Sequence, residues 1–162
     1  MKKNIAVRCA LLAFISLGWV LPVQSVDVTF HGTLVVPPPC EINGNNDISV
    51  VFGEDLLISR IDGANYEQPV SYVLDCTGAT STTLKLQFQG AGAGFDASVL
   101  NTSKTGLGLE LRSDGVKFPV NTWMTFTDPA RPRLTVTPVK GSGSALSGGA
   151  FTATSTLVVD YQ

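Results

Sequence analysis

Apolar and polar residues exchange places one by one along much of this chain, the period of a strand with one buried face. In residues 26–36, Val26, Val28, Phe30, Gly32, Leu34 and Val36 share one face, and Asp27, Thr29, His31, Thr33 and Val35 the other. Pro37, Pro38 and Pro39 end the segment just before Cys40. Prolines cannot donate backbone hydrogen bonds and hold the chain extended, so they read as a stiff spacer. Further strand-like runs follow at 48–52, 69–76, 82–89, 107–112, 116–126 (interrupted by Pro119), 133–139 and 150–161. Turn-prone stretches separate them: Gly53-Glu54-Asp55, a Gly-Ala loop at 90–94, Ser113-Asp114-Gly115 and a Gly-Ser loop at 141–149. No segment keeps a helical period over ten residues. Many short strands with regular turns predict an all-β antiparallel sandwich.

The last run is the longest. Gly149, Phe151, Ala153, Ser155, Leu157, Val159 and Tyr161 share a face, and Thr152, Thr154, Thr156, Val158 and Asp160 lie opposite. The run continues almost to Gln162 with no tail to cover its edge. A long apolar edge strand invites pairing. The chain thus has an unfilled edge at one end and, ahead of the prolines, an extra strand at the other. Either that strand folds back onto its own sheet, or each chain's strand fills a neighbour's edge; periodicity does not choose between the two.

The first 25 residues predict a secretory signal: Lys2, Lys3 and Arg8, then an apolar run at 9–21, Pro22, and a small residue, Ser25, at the cleavage point. A membrane anchor is the alternative, for which the run is short. With Lys2, Lys3 and Arg8 removed, eight of the 11 cationic residues face all 13 acidic ones, a formal charge of −5. A mildly acidic domain is poorly suited to a phosphate backbone, so no nucleic-acid partner is expected. Cys9 leaves with the signal, and Cys40 and Cys76 remain as a pair in an oxidising compartment, read as a disulfide worth roughly 3–4 kcal/mol. One histidine, His31, and two cysteines make no convincing metal set or catalytic triad, and the Gly-rich stretches lack the lysine of a phosphate loop. No cofactor, small-molecule substrate or enzymatic activity is expected. Trp123 with Tyr66 and Tyr72 could stack on a sugar, as in a lectin-like module; the simpler expectation is that Trp123 belongs to the core.

In several segments the chain resembles the chaperone–usher pilins. These are the glycine-centred extension FHGTLVVPPPC (30–40), the following CEINGNN and VVFG, the Cys40/Cys76 pair, the central GLGLELRSDG (106–115) and the terminal GGAFTATSTLVVDYQ, with Tyr161 penultimate and Gly149 fourteenth from the end. The resemblance covers everything after the signal. It implies three regions: a signal peptide at 1–25, a donor-strand extension at 26–39 and a pilin domain at 40–162. The fold would be an immunoglobulin-like sandwich lacking its last strand. A periplasmic chaperone would lend a strand first and hold the carboxylate of Gln162. At the outer-membrane usher a neighbouring subunit's strand would replace it. Val28, Phe30, Leu34 and Val36 would enter the neighbour's pockets with Gly32 at a tight point. Phe151, Ala153, Ser155, Leu157, Val159 and Tyr161 would wall the receiving groove. The PPPCEINGNN and KGSGSALSGGAF stretches look most like the minor tip adaptor of P-type pili, which joins the tip adhesin to the fibre. A rod or terminating subunit is the alternative.

Overall fold

The computed structural model describes residues 28–34 and 40–162. The signal segment, Val26, Val36 and the three prolines lie outside these residues. Residues 28–34 belong to one unit, and all seven are exposed in an irregular conformation. Val28, Phe30 and Leu34 expose 70, 90 and 99% of their surface. A strand's pattern without a partner thus yields no strand, since a ladder needs two edges.

The second unit is all-β. Its strands are β1 Glu41–Ile42, β2 Gln68–Pro69, β3 Leu74–Asp75, β4 Thr83–Gln89, β5 Gly92–Ala93, β6 Asp96–Asn101, β7 Leu107–Ser113, β8 Val116–Lys117, β9 Met124–Thr127, β10 Leu134–Lys140 and β11 Thr156–Tyr161. One sheet runs β2-β10-β7-β6-β5, with β8 also on β7; a second runs β11-β4-β9; β1 and β3 form a small third. Every pairing is antiparallel. Leu86 and Phe88 of β4 meet Leu100, Leu109, Leu111, Leu134 and Val136 of the larger sheet, so the core lies between the two sheets. Cys40 and Cys76 are bonded, which ties β1 to the end of β3.

β4, β7 and β10 match the runs expected at 82–89, 107–112 and 133–139. Other expectations change. The run 69–76 holds only the short β2 and β3, and 116–126 splits into β8 and β9 with Phe118 and Val120 buried between them. The run 150–161 is a strand only from Thr156, where β4 lies alongside. Residues 48–52 keep a strand's burial rhythm, Ile48, Val50 and Phe52 inward and Ser49 and Val51 outward, yet pair with nothing among the described residues. Trp123 is not a core residue: it is 41% exposed, with Lys85 Nζ 4.9 Å from its ring centroid. β6 was not anticipated, because its apolar residues Val99 and Leu100 are adjacent instead of alternating.

Candidate strand-acceptor groove

Among the described residues β11 is the last strand of its sheet, with β4 as its one ladder partner. The backbone directions along it follow from two bonds. Gln162 N–H donates to the Thr83 carbonyl, so residue 162 faces β4. Ser103 N–H donates to the Thr152 carbonyl, and Thr152 N–H to Ser103 Oγ, so the backbone groups of Thr152 are taken up by Ser103. Successive residues of an extended chain aim their backbone groups to opposite sides. The N–H and C=O groups of Phe151, Ala153, Ser155, Leu157 and Val159 therefore point away from β4, toward the open side.

That open side is a cavity of about 1470 Å³. Residues 146–159 form one bank and residues 45–54 the other; Leu100, Leu109 and Val136 are among the residues of its floor. Ile48, Val50 and Phe52 from one bank and Phe151 and Leu157 from the other pack on the buried core but are only partly covered. The Phe52 and Phe151 rings approach across the groove, centroids 5.7 Å apart. Core side chains half-open to solvent, between two edges that face no ladder partner among the described residues, are what a sandwich shows when one strand is missing from its wall.

The tightest point of the wall is at Ser155. Thr156 pairs with Gln89, which puts Ser155 beside Gly90. A Cβ on Gly90 would come within 2.6 Å of Leu100 Cδ1 and 3.5 Å of Ser155 Cβ. Leu100 thus rises from the opposite sheet into a row of small residues, and this accounts for a serine in an otherwise apolar face. Gly149 marks where the chain turns into the bank: its φ is +108°, and a Cβ there would stand 3.2 Å from Lys104 Nζ. Gly149, Phe151, Ala153, Ser155, Leu157 and Val159 all line the cavity. Tyr161 lies past its end, with its hydroxyl 3.8 Å from Cys40 Sγ.

On the outer face, Lys85 Nζ is 3.0 Å from Asp160 Oδ2 and ties β4 to β11. That bond, with the Tyr161 N–H, holds the Asp160 carboxyl below the usual carboxylate range. The three aromatics of the sugar-stacking alternative are separately engaged. Tyr72 packs against the core with its hydroxyl donating to the Pro132 carbonyl, and burial pushes it up to about 12. The Tyr66 hydroxyl accepts from Leu57 N–H. His31 is exposed. Among the described residues no group of three or more His, Cys, Asp or Glu could hold a metal ion. Sequence periodicity marked residues 48–52 as a strand but gave no sign that they form the second bank.

Comparison with known proteins agrees with this geometry. The family model for fimbrial proteins matches residues 28–162. The chain belongs to the fimbrial protein family. It is 37% identical over 144 residues to the fimbrial-like protein YfcR of Escherichia coli K12, covering 86% of this chain and 82% of that one. It is 39% identical over 142 residues to YfcQ of the same organism, covering 84 and 87%. Among solved structures, the P pilus rod subunit PapA superposes with a TM-score of 0.65 at 26% identity, over 77% of this chain and 100% of PapA. A chaperone–usher pilus structure bearing on rod uncoiling gives 0.59 at 27%, over 88 and 99%. The P pilus adaptor PapF gives 0.59 at 23%, over 78 and 98%, a likeness of fold. This fimbrial subunit is an all-β, immunoglobulin-like sandwich lacking a strand, and its place of work is the extracellular pilus.

Proposed function

We propose that this fimbrial subunit works by strand exchange: its groove receives an extended strand from one neighbour, and its own residues 26–36 fill the groove of another. The observation that carries the reading is a matched surplus and deficit. Val28, Phe30 and Leu34 are an exposed apolar row, while Ile48, Val50, Phe52, Phe151 and Leu157 pack on the core and stay only partly covered. The role is structural and non-enzymatic. A strand laid antiparallel to residues 150–161 would bond the free backbone groups of the bank and bury its alternate side chains. Four such side chains would contribute about 6–12 kcal/mol before ordering and desolvation costs, enough for slow dissociation without a covalent link.

Size sets the register. Gly32 belongs opposite Ser155, extending the small row beneath Leu100; Phe30 then meets Leu157, Val28 meets Val159, Leu34 meets Ala153 and Val36 meets Phe151. A periplasmic chaperone would occupy the groove first and grip the carboxylate of Gln162, and an outer-membrane usher would host the replacement. Within the fibre, the PPPCEINGNN and KGSGSALSGGAF stretches favour an adaptor beside the tip adhesin. The higher TM-score with the rod subunit PapA, 0.65, supports a rod-type position as the second reading.

Size-exclusion chromatography of the secreted chain, with and without residues 26–39, tests the exchange. The intact chain should form oligomers that persist on dilution. The truncated chain should be an unstable monomer rescued by a peptide of residues 26–36. Stable monomers in both runs would overturn the proposal.

A further inference from the structure

The two faces of the smaller sheet carry different chemistry. Leu84, Leu86 and Phe88 of β4 face the core, so Lys85, Gln87 and Gln89 lie on the outer face. Beside them on β11 are Val158, paired with Gln87, and Asp160, paired with Lys85. Trp123 stands one step past the last pair between β4 and β9, Leu86 with Met124, which puts it beside Gln87 on the other flank. Its ring centroid lies 4.9 Å from Lys85 Nζ, so the indole belongs to this outer face. Gln87 points outward yet is only 7% exposed. Gln89 Nε2 donates to Gln87 Oε1 at 2.9 Å, and among the described residues nothing accepts from Gln87 Nε2. An amide so deeply covered is costly to leave half-paired, and native structures complete such groups with water or ligand.

Each feature narrows the occupant. Lys85 Nζ is 3.0 Å from Asp160 Oδ2, so these two charges cancel and neither an anion nor a cation is favoured. Trp123 and Val158 are two apolar side chains, against the about 20–30 residues a side that a stable protein interface engages. Three strands abreast span about 10 Å, room for one or two sugar rings. A pyranose has an apolar C–H face and a rim of hydroxyls that both donate and accept. The exposed indole suits the first; Gln87 Nε2, the Gln89 amide and the Asp160 carboxylate suit the second. The Lys85 ammonium at the ring holds the indole in one orientation, so the ligand meets a preformed surface. We propose that the outer face of β9-β4-β11, around Trp123 and Gln87, binds a neutral sugar ring, stacked on the indole and bonded by the two glutamine amides. The site needs neither Tyr66 nor Tyr72. It lies on the face of β11 turned away from the core, so it does not depend on strand exchange. Where exchange assembles copies, the site repeats and weak affinities combine.

Fluorescence tests it. The chain has two tryptophans, Trp19 in the expected signal and Trp123, so the emission of the secreted chain reports on this site. The probes are the methyl glycosides of galactose, glucose, mannose and N-acetylglucosamine. At least one should shift the emission saturably, with a Kd of about 1 mM, as suits so small a ligand. On a column bearing that sugar, Trp123→Ala should weaken retention by roughly two- to tenfold, the range of one aromatic stack. Gln89→Ala, at an exposed position, should weaken it without touching the indole. Both variants should keep the size-exclusion profile of the unaltered chain. No saturable shift with any of the four sugars, an equal or stronger response to sialic acid, or unchanged retention of both variants would overturn the site and leave strand exchange standing. A secreted chain that responds to sugar yet stays a stable monomer would overturn the exchange and leave the site.

Discussion

β10 and the stretch 150–161 have similar sequence rhythms and opposite fates. β10 has β7 along its whole length and β2 beside Thr135 and Val136, and Leu134 through Pro138 are all buried. Leu134 accepts from Val70 N–H of the β2 side, so residue 138 also faces that side. β2 has ended there, and the missing N–H of Pro138 leaves no gap in a ladder. The stretch 150–161 has a neighbour on one side, for half its length. Its inward residues Phe151, Ser155, Leu157 and Val159 stay partly open, and Ala153 is exposed. Alternation tells which face of a strand is apolar. The number of neighbours decides whether that face is covered, and the proposed strand exchange supplies the neighbour that is missing here.

The largest effect should come from abolishing the difference. Because residue 26 falls opposite Tyr161 in the proposed register, a copy of residues 26–36 added after Gln162 through a turn of about four residues would close the groove within one chain. This form should be monomeric, with Tm raised by roughly 10–30 °C, from the burial of four apolar side chains and about 2–4 °C per kcal/mol at this size. Calorimetry showing an unchanged Tm would refute the register and the deficit together.

Truncations on the two stretches should then separate them. Leu134→Ala removes a side chain only 1% exposed and should cost about 2–5 kcal/mol whether or not the groove is filled. Leu157→Ala should cost less than Leu134→Ala in the open chain and approach it in the chain closed upon itself. Urea titrations of the four proteins would show this, and equal costs in the open form would mean that the groove is already covered. A smaller effect is expected from the donor. Gly32→Val places two methyls over the Ser155–Gly90 row that Leu100 already fills, an overpacking of about 1–3 kcal/mol. Donor peptides with glycine and valine at this position should differ in retention on the truncated subunit by roughly five- to 150-fold. Equal retention would move the glycine elsewhere in the groove.

The all-β class and strands β4, β7 and β10 were legible in the sequence because each has neighbours that make period two visible in burial. So was the Cys40–Cys76 bond, from the even pair left once Cys9 is assigned to the expected signal. Other features lie in relations between segments, which no single stretch records. Residues 48–52 alternate like any strand, and only the fold makes them the second bank. Ser155 is one small residue in an apolar row until β4 brings Gly90 beside it. Trp123 was expected inside because tryptophan is large and apolar; it sits instead under Lys85, whose charge is shared with Asp160.

The smallest effect expected is electrostatic, and it should be indifferent to the groove. Asp96 starts β6 in the closed sheet, where its carboxylate accepts from the Ser98 hydroxyl and N–H and lies 2.9 Å from Lys117 Nζ. The Ser98 hydroxyl chiefly, then Lys117, lowers the carboxyl to about 2. A carboxyl lowered by folding stabilises the folded state above its unfolded value near 3.9, and that contribution disappears as pH falls through the folded value. Tm should therefore decline between about pH 4 and pH 2, and Asp96→Asn should flatten part of that slope. Solvent screening keeps the increment small because the group is exposed. Asp96 stands on a strand with ladder neighbours on both sides, so the flattening should be the same in the open chain and in the chain closed upon itself. If filling the groove changed it, the two sheets would be electrostatically coupled through the core, and the division between a finished sheet and an unfinished one would have to be redrawn.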